Sequence, residues 1–144
     1  MEIEHSDLEC FPEAYKHFKF KAGDLLAQNG DGLWGLIKII KVDTFDFAAG
    51  EEVNIQGEDV VLKQADSLIV VSLLYSQLVY SSLEELKQAV ANKSWIIEIG
   101  HLPIRTIAID ENSEYLGHEP VVESELDGYQ FWLEAFKNKD AGIF

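Results

Sequence analysis

The stretch GDLLAQNGDGLWGLIKIIKV, residues 23–42, predicts a β-hairpin around which the rest of the fold is built. Its turn is QNGDG, residues 28–32, where glycine and asparagine tolerate the positive φ angles of a tight reversal. Residues 24–27 lead into the turn as a strand, and the mostly apolar residues 33–42 return as a longer strand. Gly35 inside the return strand indicates a bulge or a tight bend.

The same stretch has a faint likeness to a calcium-binding loop, which we discount. Ala27 stands where the first acidic ligand would be, and Lys38 stands where the closing glutamate would be. A hairpin is therefore the favoured interpretation. Its return strand can continue through Phe45 and Phe47, which alternate with Asp46.

Three further apolar segments predict strands. Residues 67–74 are rich in isoleucine, valine and leucine and are typical of a buried strand. Residues 95–99 and 104–109 predict two more strands, which Gly100-His101-Leu102-Pro103 separates.

Two helices interrupt the strands. Ser82 and Glu85 have the spacing of a capping box, and Asn92 is a plausible end for the helix that they begin. A second helix is predicted to begin at Ser124, with Asp127 in the reciprocal position of the cap. The apolar face of this second helix consists of Tyr129, Trp132, Leu133 and Phe136, which we expect to pack in the core.

These elements predict a single domain over residues 1–144 with an α+β fold. The strands and helices do not alternate as β-α-β units, so a parallel sheet is not expected. We predict a curled antiparallel sheet or a small SH3-like barrel, with two helices. The expected core residues are Leu36, Ile37, Ile39, Val70 and Ile97.

The chain is acidic but otherwise has the composition of a folded domain. It contains 11 Lys and Arg residues against 26 Asp and Glu residues, for a net charge of -15, and 47% of its residues are hydrophobic. This hydrophobic content excludes an acidic disordered tail, and the scarcity of cations disfavours binding to nucleic acid or to an anionic membrane. The single cysteine, Cys10, and an acidic start unlike a signal peptide lead us to expect a cytoplasmic protein.

The acidic residues are concentrated in residues 1–15, 42–62 and 106–136, none of which contains Lys or Arg. One interpretation is that these are solvated loops that keep the protein soluble. The other is that they converge into a patch that binds a basic protein. The candidate partner-binding residues are Asp43, Asp46, Glu111, Glu114, Glu119, Glu123, Glu125 and Asp127.

The sequence contains no recognisable catalytic motif, and we predict no catalytic residues, no cofactor and no metal site. The four histidines do not have the spacing of zinc ligands. His101 and Glu98 would make an acid–base pair at a strand end, but a structural hydrogen bond is the favoured interpretation of His101. Cys10 lies between Glu9 and Glu13, which do not activate a thiolate.

Two parts of the chain carry a resemblance to a known class of proteins. Residues 20–27 (FKAGDLLA), the Asp31-Gly32 turn and residues 33–39 (LWGLIKI) combine a lysine-x-Gly-Asp lead with a return strand that contains glycine and an aromatic residue. Residues 116–121 (LGHEPV) and 125–132 (ELDGYQFW) follow near the end of the chain. Together they resemble the opening hairpin and the C-terminal region of bacterial polymorphic-toxin immunity proteins of the small, β-rich type.

The resemblance implies a stoichiometric inhibitor that neutralises a toxin delivered by a neighbouring cell, and it carries over no functional residues. The charge favours the same interpretation for a separate reason, because nuclease toxins have basic clefts for their phosphate substrate. A small enzyme or ligand-binding module that uses the mouth of a barrel is an alternative, as is a structural subunit of a larger complex. The oligomeric state stays open.

Overall fold

The structure, a computed structural model, describes residues 7–8, 11, 13–92, 97–106, 109 and 113–144. Its strands are β1 (Asp7–Leu8), β2 (Asp24–Gly30), β3 (Leu33–Phe47), β4 (Glu52–Ile55), β5 (Glu58–Leu62), β6 (Asp66–Tyr80), β7 (Ile97–Arg105) and β8 (Glu114–His118). Its α-helices are α1 (Leu83–Ala91) and α2 (Asp127–Lys137). Short 3-10 helices cover Glu13–Lys16 and Glu123–Leu126.

The predicted hairpin forms between β2 and β3. Asp31 and Gly32 make up its two-residue loop, with φ angles of 54° and 81°, which are the positive values that a type I′ turn requires. The pairing of β3 with β6 shifts register between Gly35 and Ile37, so the predicted bulge is confirmed. β3 continues to Phe47, as the alternation of its apolar residues indicated.

The hairpin belongs to a five-stranded sheet with the order β7-β6-β3-β2-β8, in which all neighbouring strands are antiparallel. β3 and β6 are 15 residues long each and form its centre. Among the described strands, β7 and β8 are the two edges, so the sheet does not close. The α+β fold with a curled antiparallel sheet and two helices is confirmed, and the SH3-like barrel alternative is wrong.

A second sheet has three strands in the order β1-β5-β4. β4 and β5 lie within the acidic segment 42–62, and our interpretation of that segment as loop is wrong. In β4, Glu52 and Asn54 alternate with inward-facing aliphatic residues, whereas in β5 two adjacent carboxylates precede three aliphatic residues, so the count of charges hid both strands. The buried aliphatic residues are Val53, Ile55, Val60 and Leu62.

β7 is one strand where we predicted two. The chain runs from Ile97 to Arg105 through Gly100 and Pro103 without a break. Proline is tolerated because β7 is an edge strand, where a missing N–H need not break the sheet. Residues 95–96 and 107–108, which we also predicted as strand, lie outside the described residues.

Residues 143–144 connect one edge of each sheet. Ile143 forms a parallel bridge with Ile55 of β4. Its N–H donates to the Asn54 carbonyl at 2.9 Å, and its carbonyl accepts from the Gln56 N–H at 2.7 Å. The backbone N–H of Phe144 donates to the carbonyl of Pro103 in β7 at 2.8 Å. This short segment therefore pairs with β4 and with β7 at the same time.

The start of α1 is as predicted. The Ser82 hydroxyl accepts a hydrogen bond from the Glu85 N–H at 3.2 Å, and the Glu85 carboxylate accepts in return from the N–H and hydroxyl of Ser81. Leu86 is fully buried on the inner side of α1, and Asn92 is the C-cap of the helix, as predicted.

The start of α2 differs from the prediction that Ser124 caps it. The 3-10 turn Glu123–Leu126 runs directly into α2, and Ser124 is exposed within that turn. The turn is closed by Glu125, whose Oε1 accepts a hydrogen bond from the Val122 N–H at 2.9 Å. A carboxylate that reaches back along the chain thus replaces the predicted hydroxyl cap, and helical structure begins earlier.

The five-stranded sheet is buried on both faces. One face packs against α1, α2 and the small sheet, and the other packs against the chain around Phe18 and Phe20. The side chain of Ile97 lies outside the described residues. The predicted core residues that are confirmed, each at most 1% exposed, are Leu36, Ile37, Ile39 and Val70.

The predicted aromatic face of α2 packs in the core, as expected. Tyr129, Trp132 and Phe136 are 7–8% exposed, and Leu133 packs beside them. The Trp132 ring stacks on Phe136 with centroids 4.9 Å apart, and its Nε1 donates to the Gly142 carbonyl at 2.8 Å. The indole therefore packs its ring against another aromatic side chain and forms a hydrogen bond with its N–H inside the protein.

We expect Trp132→Ala to lower the free energy of unfolding by about 3–5 kcal/mol, because truncating a buried indole leaves a cavity. The matched control is Phe131→Ala on the same helix, where the ring is 82% exposed. This control should change the free energy by less than about 0.5 kcal/mol. Urea unfolding followed by circular dichroism measures both variants, and equal effects would contradict the assignment of Trp132 to the core.

Candidate functional site

α2 presents a solvent-exposed face on the side opposite its buried aromatic residues. Four residues at positions i, i+3, i+4 and i+7 share this side, because a helix brings such positions together. Phe131 is the most exposed of the large hydrophobic residues that the structure describes, at 82%. The residues that we call the outer face are Asp127, Gln130, Phe131 and Glu134.

The carboxylates around this face form no ion pair with a described cation, although the exposed Lys137 follows Glu134 by three positions on the same helix. In the described part of the chain, Asp127, Glu134 and the exposed Glu123 just before α2 form no ion pair. Asp127 lies in the first turn of the helix, where the helix dipole favours a negative charge. The Phe131 ring consequently lies between acidic residues located one turn before it and one turn after it.

Two other predicted partner-binding residues, Glu119 and Glu125, bond the buried Lys38, and their side chains are 41% and 12% exposed. Lys38 in β3 is fully buried, and its Nζ donates to Glu125 Oε1 at 2.9 Å and to Glu119 Oε1 at 3.3 Å. The same ammonium donates to the carbonyl of Pro120 at 3.3 Å. The segment 106–136 is therefore not wholly uncompensated, since a cation from a distant strand offsets part of its charge.

The remaining predicted residues that the structure describes, Asp43, Asp46 and Glu114, do not gather at one place. Asp43 accepts a hydrogen bond of 2.5 Å from the Tyr129 hydroxyl beneath α2. Asp46 is exposed and lies on the opposite face of β3, because it is three positions further along the strand and side chains alternate between the two faces. Glu114 is exposed on the edge strand β8, and Glu111 lies outside the described residues.

The sequence contained one signal for the Lys38 contact that we did not use. Lys38 alternates with Leu36 and Ile40 in an apolar run, so it shares their buried side of β3. A buried ammonium requires anionic or carbonyl partners, which predicts inward-facing carboxylates elsewhere in the chain. The sequence alone does not say which carboxylates these are, because they are more than 80 residues away.

A polar cluster lies between α2 and the sheet. His101 Nε2 is 2.8 Å from the Ser72 hydroxyl oxygen, and its ring packs against Trp132 and Tyr129. The structural hydrogen bond predicted for His101 is thus confirmed, while the side chain of Glu98 lies outside the described residues. Burial lowers the pKa of His101 to about 4, and burial together with the neighbouring Asp43 carboxylate raises the pKa of Tyr129.

A groove of about 170 Å³ lies where the small sheet meets the end of α2. Lys139 at its margin bonds the Glu51 carboxylate at 3.1 Å and the Glu52 carbonyl at 2.9 Å. The Asn54 amide donates to the Asp59 carboxylate at 3.1 Å. Many polar groups of the groove are therefore paired with one another, and it is a weaker candidate for a binding site than the outer face.

Comparison of the chain with protein-family models, curated proteins and solved structures finds no match. Among the described residues, no group of three or more His, Cys, Asp or Glu side chains is arranged to hold a metal ion. No described helix is long and apolar enough to cross a membrane. The outer face, with its exposed ring and unpaired carboxylates, is therefore the strongest candidate site.

We expect the stability of the protein to fall from pH 6.5 toward pH 4 in part through His101. The pKa of the folded protein's imidazole is about 4 against an ordinary 6.5, so in this range only the unfolded chain takes up the proton. Above pH 6.5 both states are neutral at this site and the contribution vanishes.

His101→Gln removes this titration and retains an amide near Ser72. Its free energy of unfolding should therefore decline less than that of the wild type between about pH 7 and about pH 4.5. Urea unfolding at both pH values measures the difference, and the acidic groups common to both proteins cancel. Parallel declines in the two proteins would contradict a buried, neutral imidazole.

Proposed function

We propose that this chain is an immunity-type protein that binds a basic toxin through the outer face of α2 and neutralises it stoichiometrically. The observation that carries the proposal is the Phe131 ring, which is 82% exposed between unpaired carboxylates. On the same helix, Tyr129, Trp132 and Phe136 are all buried, so the exposure of Phe131 is confined to one side.

An exposed aromatic ring contributes little to the stability of the free protein, but it is well suited to anchor an interface. Aromatic residues are enriched at the centres of protein–protein interfaces, where a ring fills a pocket and polar groups around it exclude water. The Phe131 ring also offers a π face to a lysine or arginine of a partner. Asp127 and Glu134 stand on either side of it to pair with further cations.

The charge of the chain supports a basic partner. A net charge of -15 raises the rate of encounter with a positively charged protein, since opposite potentials steer diffusion. A nuclease toxin binds phosphate in a basic cleft, so it has the complementary potential. The resemblance of residues 20–39 and 116–132 to immunity proteins supports the same class of partner. A ligand site in a barrel mouth has no support, because the sheet does not close.

The proposal predicts that reversing the charges around the outer face slows association. In Glu123→Lys/Asp127→Lys/Glu134→Lys, the association rate with the protein that the adjacent gene encodes, which the proposal requires to be basic, should fall more than about tenfold at about 0.05 M salt. The wild-type rate should itself fall as salt is raised to about 0.5 M. Biolayer interferometry measures these rates, and Phe131→Ala should mainly accelerate dissociation.

The matched control reverses Asp46, Glu58 and Glu84, which are exposed on β3, β5 and α1, and so changes the net charge equally. It should slow association much less than the α2 variant. Equal slowing by both variants would mean that only total charge matters, and no slowing by either would reject the electrostatic interface. A neighbouring protein with no affinity for the chain would reject the proposed partner.

A short peptide of alternating lysine and glycine provides a second probe that does not depend on a neighbouring gene. In an NMR titration at low salt, its largest amide shifts should fall in residues 122–134. Shifts spread evenly over the exposed carboxylates of all elements would leave solubility as the role of the charge.

A further inference from the structure

Lys38 is a cation with no exposure to solvent in the centre of β3. A lysine ammonium has three hydrogen-bond donors and no acceptor. All three donors have an acceptor here: Glu119 Oε1 at 3.3 Å, the Pro120 carbonyl at 3.3 Å and Glu125 Oε1 at 2.9 Å. The three acceptors come from a single short stretch, residues 119–125, which joins β8 to α2.

This stretch is fixed at both of its ends. At its start, the Glu119 N–H donates to the Gly23 carbonyl at 2.8 Å. At its end, Glu125 Oε1 accepts from the Val122 N–H at 2.9 Å as well as from Lys38. One carboxylate oxygen therefore closes the 3-10 turn and holds that turn against the sheet.

We propose that Lys38 is a positioning residue for the outer face of α2. Its ammonium bonds Glu119 at the surface and draws Glu125 inward, which leaves Glu123 and Asp127 directed to solvent and sets the orientation of the first turn of α2. This inference depends on the proposed function, because it concerns how the same face is presented to a partner. Lys38 itself does not touch the partner, since it is fully buried.

The alternation within the acidic stretch supports this role. The Glu125 side chain is 12% exposed and pairs with Lys38, while Glu123 two residues earlier is exposed and has no ion pair among the described residues. Desolvating an ion pair opposes much of its Coulomb attraction, so such a pair adds little net stability compared with an apolar contact. The ion pair instead fixes the position of residues 119–125, because the contact forms only where the two carboxylates and the carbonyl reach the ammonium.

The test compares Lys38→Met with Lys41→Met, which removes the same charge from an exposed position of the same strand. Both variants change the net charge equally, so any change in long-range steering is shared. In Lys38→Met, hydrogen exchange at the Val122 and Glu125 amides should accelerate at least about tenfold relative to Lys41→Met. Exchange at Ile39 and Leu73 in the central strands should change much less.

Binding is measured with the product of the adjacent gene, as above, and Lys38→Met should weaken the equilibrium affinity by at least about tenfold relative to Lys41→Met. If the charge reversals on α2 weaken binding while Lys38→Met leaves exchange and affinity unchanged, the positioning role is overturned and the interface stands. If the reversals on α2 have no effect, the proposed function fails. Faster exchange in Lys38→Met would then still support the contact as a local constraint on residues 119–125.

Lys38→Met leaves Glu125 without its cation and is at risk of unfolding. Lys38→Met/Glu125→Met removes both charges and should unfold at a temperature close to that of Lys41→Met, because an apolar pair replaces a buried ion pair. Its amide exchange in residues 119–125 should be fast and its affinity low despite normal stability. Normal affinity in this stable double variant would overturn the positioning role.

Discussion

The pairing of β3 with β6 is the contact on which the other elements depend, because both strands are buried and yet carry polar side chains near the middle of the molecule. Lys38 and Asp43 on β3 and Ser72 on β6 each need a partner once water is excluded. Their partners are Glu125, Tyr129 and His101. Aromatic packing and the contact of Tyr129 with Asp43 hold α2 against the sheet, while Lys38 holds the turn just before α2 and His101 joins β7 to β6.

What could be predicted from the sequence was local. The Asp31-Gly32 loop and the Ser82 cap are specified by residues within a few positions of each other, and both are confirmed. The small sheet escaped prediction because β4 and β5 are short and begin with carboxylates, which made segment 42–62 look like solvated loop. The contact of Lys38 with Glu125 joins residues 87 apart, and only the tertiary fold shows which carboxylate turns inward.

In the candidate site, too, some residues could be predicted from the sequence and others required the tertiary structure. Glu123 and Asp127 could be selected from charge density alone, and the periodicity that identified the buried face of α2 leaves Phe131 outside it. Charge density could not separate these carboxylates from Glu119 and Glu125, which pair with the buried Lys38. Fewer unpaired carboxylates therefore lie at the surface near α2 than the sequence implies. Those that do lie there flank the outer face of the helix.

The pairing of residues 143–144 with both sheets also bears on self-association through exposed strand edges. A free strand edge presents rows of N–H and C=O groups that another chain can extend. Ile143 occupies such an edge on β4, and Phe144 occupies one position of the edge of β7. Release of this segment would uncover the β4 edge and one position of β7. The released form would then offer β4 for pairing with a strand of another copy of the chain.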